Sequence, residues 1–209
     1  MPASRKGLEH LRAADPVMRA LIDGLGPDER DPRRGVAPED HYGALVRSIV
    51  GQQLSTSAAR AIYARLTDRF GGRTPTPVEV LEDDPEELRA AAGMSRAKVS
   101  FLRSLAEHVL EGTLELERLD ALPDDEVKAE LVAVKGLGPW TADMFLMFHL
   151  QRPDVLPVGD LGIRRAMMRA YGLEELPSPP EMEAVAEPWR PYRTEACVYL
   201  WRSLDATPV

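Results

Sequence analysis

The chain has 209 residues, of which 44% are hydrophobic and 29% charged, so it can enclose an apolar core. Its formal charge of -8 argues at first sight against a nucleic-acid partner, and its single cysteine excludes an internal disulfide or an iron–sulfur cluster. The sequence shows neither a signal peptide nor an apolar run of transmembrane length. We therefore expect a soluble cytoplasmic protein.

The negative charge is clustered along the chain. Three acidic segments, 79–90, 115–130 and 174–187, hold more than the whole of it, so the remaining residues are net basic. Solvated helix faces explain such segments equally well, but the distribution leaves room for a basic face. Net charge alone does not exclude DNA as a partner.

Apolar residues recur at helical spacing over most of the chain, which predicts an all-α fold of about ten short helices. The expected helix starts carry a polar cap or a first-turn proline: Pro16, Ser55, Pro85, Ser95, Asp124 and Pro139. The composition of residues 26–38 is that of a loop. Three further helices are expected near 163–171, 181–187 and 192–204.

Residues 131–142 (LVAVKGLGPWTA) predict two helices joined by a tight turn. Gly136, Leu137 and Gly138 form the turn, and Pro139 begins the second helix, whose first amides suit a phosphate. An ordinary pair of antiparallel helices shares this pattern. The apolar residues before the turn and the Pro-Trp-Thr-Ala-Asp run after it favour the DNA-backbone reader known as the helix–hairpin–helix.

The hairpin is followed by residues 156–165 (LPVGDLGIRR). Together with 48–55 (SIVGQQLS), 93–98 (GMSRAK) and 188–192 (PWRPY), these motifs resemble the helix–hairpin–helix / Gly-Pro-Asp DNA glycosylase superfamily. Within it, the chain is most similar to the bacterial 3-methyladenine DNA glycosylase II type. The motifs occur in the family's order between residues 41 and 205. Full-length relatives carry a β-rich amino-terminal region, and we expect no such region in this sequence, where about 40 mostly helical residues precede the core.

The resemblance implies two small helical subdomains that flank a DNA-binding cleft and act as a single glycosylase unit over residues 1–209. Residues 41–150 would form the central subdomain with the hairpin, and residues 1–40 plus 151–209 the second. The implied partner is double-stranded DNA that contains alkylated bases. We expect a monomer located at a bacterial nucleoid, with no membrane association and no required cofactor.

By the same resemblance, Asp160 is the catalytic carboxylate, which stabilises positive charge on the sugar and orients the attacking water. An isolated aspartate before a helix would be interpreted as its cap, and the two roles are compatible, because amide contacts keep a carboxylate ionised. Bifunctional members carry a lysine where this chain has Trp140, and Lys135 precedes the turn. The implied enzyme is therefore monofunctional and leaves an intact abasic site.

A pocket walled by aromatic rings favours cationic alkylated purines through stacking and cation–π attraction. The resemblance assigns Trp201 to this pocket, with Trp140 and Met144 on the hairpin helix facing the same cleft. Trp189 and Tyr192 are further candidates, although a tryptophan in a small helical protein also fits the core.

The DNA-contacting candidates comprise the hairpin turn, two loops and four basic side chains. The turn contributes Gly136, Leu137 and Gly138. Gln53 and Met94 are candidates to fill the gap left by a flipped base, although a polar pair such as Gln52-Gln53 also suits hydrogen bonding at a helix break. The candidate phosphate contacts are Arg96, Lys98, Arg164 and Arg165.

The resemblance also implies a monovalent cation, sodium or potassium, on backbone carbonyls of Val132, Val134 and Leu137. The four histidines lack metal-ligand spacing. Two other functions fit the same motifs. One is a glycosylase for deaminated or mismatched bases, and the other is a non-catalytic DNA-binding module.

Overall fold

The computed structural model describes residues 4–26 and 40–205. Within these ranges the chain forms twelve α-helices joined by loops and short turns, and the predicted all-α class is confirmed. No helix in the described part combines the length and apolarity needed to cross a membrane.

The helices fall into two compact units. The described residues of Pro38–Phe145 form the continuous unit, and those of Met1–Ala37 and Leu146–Val209 form the discontinuous unit. The single glycosylase unit and its subdomain boundaries, as expected from the sequence, stay predictions.

The continuous unit contains seven α-helices and a 3-10 turn. They are α3 (His41–Gly51), α4 (Thr56–Arg69), α5 (Pro77–Glu82), α6 (Pro85–Ala92), α7 (Arg96–Leu110), the turn Leu116–Arg118, α8 (Asp124–Ala133) and α9 (Pro139–Met144). A π-helical turn, Phe145–His149, follows α9.

Helix starts in this unit follow the polar residues that precede them. The Ser55 and Ser95 side chains accept hydrogen bonds from amides three residues on, as predicted. The prediction that Asp124 is a cap is wrong. Pro123 occupies the cap position in extended conformation, so Asp124 is the first helical residue. There its negative charge interacts favourably with the positive end of the helix dipole.

The discontinuous unit draws helices from both ends of the sequence. They are α1 (Arg5–Ala14), α2 (Pro16–Leu25), α10 (Leu161–Tyr171), α11 (Pro179–Ala186), the 3-10 turn Glu187–Trp189 and α12 (Arg193–Asp205). The last three predicted helices are thus confirmed with ends shifted by one or two residues. The predicted loop at 26–38 lies, from residue 27 onward, outside the described residues.

A buried carboxylate holds the discontinuous unit together. Asp15 is 6% exposed and accepts hydrogen bonds from the Tyr171 hydroxyl (2.6 Å) and the Trp189 indole (2.8 Å). It also accepts from the amides of Val17 and Met18 at the start of α2. Burial raises the pKa of Asp15, but these hydrogen bonds outweigh burial and hold the pKa below its ordinary value. The end of α10 is thereby tied to the start of α2.

Candidate functional site

Asp160 lies at the start of α10, directly after an irregular loop. Its Oδ1 accepts a hydrogen bond from the backbone amide of Ile163 (2.7 Å) and another from the indole Nε1 of Trp201 (2.9 Å). The side chain is partly exposed. The helix cap that the sequence left as an alternative to catalysis is therefore observed. It fixes the carboxylate in one orientation without removing it from solvent.

Trp201 brings an aromatic ring to this carboxylate. The Phe148 ring lies 5.9 Å from the Trp201 ring, between centroids, with the planes tilted by 31°. Gly162 provides the room for the contact, because a Cβ at that position would lie 2.9 Å from Oδ1 of Asp160 and 3.1 Å from the indole. Phe148 and Gly162 were missed in the sequence. The only available signal was the glycine two residues after the aspartate.

The hairpin turn has the conformation that its glycines predict. Gly136 has a φ of 93°, in the left-handed region that favours glycine. It also packs against the Phe101 ring of α7, which a Cβ would penetrate. Gly138 is the cap of α9 and leaves open space where a side chain would be, so a bulky group can approach the backbone there.

Side chains from two other helices hold the turn in place. Gln52, at the end of α3, donates from Nε2 to the Gly136 carbonyl (2.8 Å) and reaches the Thr141 hydroxyl (3.4 Å). Lys135 donates to the hydroxyl of Ser100 on α7 (3.1 Å). Gln52 thus serves the hydrogen-bonding role that the sequence left open for the glutamine pair, and it binds the hairpin rather than its own helix break.

An ion pair between a partly exposed lysine and a buried aspartate links the two helices of the hairpin. The Lys128 ammonium on α8 lies 2.7 Å from Oδ1 of Asp143 on α9, and Asp143 is 3% exposed. Burial raises the pKa of Asp143, while Lys128 opposes this rise. The pair joins α8 and α9 on either side of the glycine turn.

Two predicted side chains have other roles. Trp189 was a further candidate for the base pocket with the core as its alternative, and it is fully buried with its indole donating to Asp15. Met94 was expected to fill the gap left by a flipped base, but it is 4% exposed and belongs to the core. Both predictions are wrong because apolar bulk at these positions packs inside its own unit.

The other aromatic-pocket candidates are accessible to different degrees. Trp140 is 46% exposed at the start of α9, while Met144 is half-buried at its end. The Tyr192 ring is half-buried and lies 5.3 Å from the His10 ring of α1. A role in base binding stays a prediction for all three residues.

The four basic candidates divide into two kinds. Lys98 donates to the Val50 carbonyl at 2.7 Å, and burial lowers the pKa of its ammonium. Arg164 donates to the Pro177 carbonyl. The more exposed pair is Arg96, which contacts Glu86 at 3.0 Å, and Arg165. Phosphate contact stays a prediction for all four residues.

Gln53 is exposed and has a φ of 56°, in the left-handed region, two residues after the end of α3, and its role in filling the gap stays a prediction. The proposed cation ligands are neutral carbonyl oxygens, the donor type that holds potassium in proteins. Among these, the Val134 carbonyl already accepts a hydrogen bond from the Leu137 amide (3.0 Å). A carbonyl has a second lone pair, so the donor set is chemically compatible with the cation, which stays a prediction.

Known DNA glycosylases are similar to this chain over nearly its whole length. Over 196 residues the chain is 34% identical to DNA-3-methyladenine glycosylase 1 of Schizosaccharomyces pombe. This alignment covers 93% of this chain and 85% of the S. pombe protein. The solved structure of the S. pombe 3-methyladenine DNA glycosylase in complex with abasic DNA matches with a TM-score of 0.83 at 32% identity. That match covers 97% of this chain and 98% of the S. pombe chain.

A second solved structure, a DNA-3-methyladenine glycosidase from Bacillus halodurans, matches with a TM-score of 0.84 at 34% identity and covers 99% of this chain and 92% of that one. Residues 46–191 match the family model described as HhH-GPD superfamily base excision DNA repair protein. The helix–hairpin–helix and the aspartate motif thus lie inside the matched region. The chain belongs to the HhH-GPD superfamily of base excision DNA repair proteins.

Proposed function

We propose that the chain is a monofunctional DNA glycosylase of base excision repair that releases alkylated purines, such as 3-methyladenine and 7-methylguanine, from duplex DNA. The contact between Asp160 and Trp201 is the observation that carries this proposal. It joins a carboxylate suited to stabilising a sugar cation to an aromatic ring suited to a purine. The family membership and the names of the relatives support the same reaction.

The reaction is a hydrolysis. The bond between C1′ and the purine nitrogen breaks, and its electron pair leaves with the base. A cationic alkylated purine therefore departs as a neutral molecule. A water oxygen forms the new bond to C1′ and passes one of its protons to bulk solvent through the Asp160 carboxylate, and the products are a neutral free base and an abasic site. The fixed Asp160 carboxylate stabilises the positive charge that develops on the sugar, which is the largest single contribution expected of such a group.

We propose that the alkylated purine, once flipped out of the duplex, stacks on the indole ring of Trp201. Stacking and cation–π attraction at a partly desolvated ring are worth about 1 to 2 kcal/mol for a cationic purine, and they distinguish it from a neutral one. The base must first leave the helical stack, a cost that is smaller for a damaged base. Selectivity for cationic lesions is therefore expected to come from the ring and from the weakened glycosidic bond together.

A strand-nicking reaction through a lysine Schiff base does not fit the lysines of the continuous unit. Trp140 stands where bifunctional relatives carry that lysine. Lys98, Lys128 and Lys135 each contact a group of the protein itself. Borohydride treatment of the enzyme with lesion DNA is expected to trap no covalent adduct, and a lysine-dependent adduct would refute the monofunctional assignment.

The test of the function is Asp160→Asn. Chromatography of bases released from methylated duplex DNA should show 3-methyladenine or 7-methylguanine with the wild-type protein and none with the variant. Fluorescence anisotropy on an abasic duplex should show unchanged binding. Asp84→Asn is the matched control, because Asp84 caps α6 through the amides of Glu86 and Glu87 as Asp160 caps α10.

Two outcomes would replace this function. Release of uracil or hypoxanthine in preference to alkylated purines would identify a glycosylase for deaminated bases. Binding without release from any lesion would identify a non-catalytic module. The hairpin cation, the monomeric state and a bacterial nucleoid location remain proposals. Relatives occur in a fission yeast as well as in Bacillus.

A further inference from the structure

The loop that delivers Asp160 spans residues 150–160, between the π-helical turn and α10. Its own backbone contributes two short-range hydrogen bonds near its end, from Val158 to Leu156 and from Asp160 to Pro157, both of 2.9 Å. Non-helical backbone of this kind is ordered chiefly by contacts with neighbouring elements. The contacts that order this loop therefore determine how precisely the Asp160 carboxylate is positioned.

One stripe of α12 contacts the loop along its length. Thr194 donates from its amide to the Pro153 carbonyl (3.0 Å) and from its hydroxyl to the Arg152 carbonyl (2.7 Å). The same hydroxyl accepts the Val155 amide (3.1 Å). Trp201, seven residues further along the helix, lies on the same face and contacts Asp160. The beginning and the end of the loop are therefore bound to the same helix.

The first residue of α12 makes the strongest contact. Arg193 donates from Nε to Oδ1 of Asp154 (2.7 Å) and from Nη2 to Oδ2 (3.0 Å), and Nη2 also reaches the Asp154 carbonyl (2.7 Å). The two side chains are only 14% and 22% exposed. Paired hydrogen bonds between a planar guanidinium and a carboxylate fix direction as well as distance. Arg190 contacts the same carboxylate at 2.7 Å but is 47% exposed.

We propose that Arg193 and Asp154 form a clamp that positions Asp160 for base release. The clamp binds the loop six residues before Asp160 and about 12 Å along α12 from Trp201, at the rise of an α-helix. Loss of the clamp removes the paired contact that fixes the direction of the loop and leaves its first half held by the single hydrogen bonds of Thr194. Because displacement of a reacting group by about 1 Å costs about 100-fold in rate, the clamp acts on the chemical step rather than on DNA binding.

The inference rests on the proposed glycosylase function, and its test separates rate from affinity. Arg193→Lys keeps the charge but loses the paired geometry, and Asp154→Asn keeps the shape but loses the charge. Each is expected to slow single-turnover release of 7-methylguanine at least about 10-fold. The dissociation constant for an abasic duplex should change less than about threefold, since the hairpin is untouched.

Arg12→Lys is the matched control. Arg12 contacts Asp23 at 2.7 Å in the same unit and does not touch the loop, so its conservative replacement should leave the rate unchanged. Tyr171→Phe supplies a destabilised reference, because it removes a hydrogen bond of the same unit at the opposite end of α10 from Asp160. Rates within about twofold of wild type in both clamp variants would overturn the proposal. A loss equal to that of Tyr171→Phe at matched stability would also overturn it.

A second measurement does not depend on activity. The Nε1 proton of Trp201, assigned in a nitrogen–proton spectrum with Trp201→Phe, reports directly on the bond to Asp160. Arg193→Lys should shift this resonance and speed its solvent exchange, while Arg12→Lys should not. If the wild-type protein releases no base, the proposed function fails and the resonance alone decides the clamp. An unchanged resonance would refute it.

Discussion

A methyl group at position 162 tests whether the contact between Asp160 and Trp201 sets the rate of base release. A Cβ built on Gly162 lies 2.9 Å from Oδ1 of Asp160 and 3.1 Å from two atoms of the indole. A carbon–oxygen contact settles at about 3.3 Å or more, so the carboxylate must move by about 0.4 Å. If about 1 Å costs about 100-fold, Gly162→Ala should slow release by roughly 5-fold to 10-fold.

The free energy of unfolding of Gly162→Ala should change little, although its rate of base release falls. Gly162 lies within the first turn of α10, where alanine is favoured over glycine by up to about 1 kcal/mol, which offsets part of the steric cost. Gly159→Ala is the matched control on the other side of Asp160. A Cβ there has no neighbouring atom within 4 Å, so its rate should equal that of the wild type.

The assay is single-turnover release of 7-methylguanine with enzyme in excess, paired with urea unfolding of each variant. A rate for Gly162→Ala within about twofold of wild type would show that the carboxylate tolerates a shift of this size, and the reasoning from the contact would fail. Equal losses in Gly162→Ala and Gly159→Ala would also contradict it, because only the first introduces a close contact.

Three further predictions concern stability and DNA binding. Gly7→Ala should lower the free energy of unfolding by about 1 to 3 kcal/mol in urea, because its methyl group meets the Glu195 carboxylate, whereas Gly24→Ala, in open space, should raise it by up to about 1 kcal/mol. Asp15 has a lowered pKa, so its stabilising charge is complete above about pH 4 and is lost as the pH falls through its folded-state pKa. Asp15→Asn should therefore cost about 1 to 3 kcal/mol at neutral pH and flatten the acid decline in stability; an unchanged pH profile would contradict this. Gln52→Met should weaken binding to abasic and undamaged duplexes alike by about 5-fold in anisotropy, since it removes the hydrogen bond to the Gly136 carbonyl and the longer one to Thr141. An effect confined to damaged DNA would point to base contact instead.

Local signals explain what could be predicted from the sequence. A serine that accepts an amide three residues on, as at Ser55 and Ser95, marks a helix start without reference to the rest of the chain. The glycine turn of the hairpin is local in the same way. Asp124 shows the limit of such signals, because a proline in extended conformation can replace the polar cap.

Contacts between distant residues explain what could not be predicted. Trp189 binds Asp15 across 174 residues, and Gln52 binds Gly136 across 84. Nothing in either neighbourhood distinguishes a tryptophan that binds a buried carboxylate from one that lines a pocket. The identity of Asp160 as a site residue came from family motifs, whereas its partner glycine and the clamp on its loop emerge only from packing.

The unit that holds Asp160 is built from both ends of the chain, and this has a consequence for its synthesis. Arg202 of α12 donates to the Leu25 carbonyl at the end of α2, a separation of 177 residues. Contacts between such distant segments form slowly, and domains fold as they emerge from the ribosome. The continuous unit, with its hairpin, can fold while α12 is still unmade. Helix α12, which is synthesised after the whole continuous unit, is thus the one that completes the surroundings of Asp160.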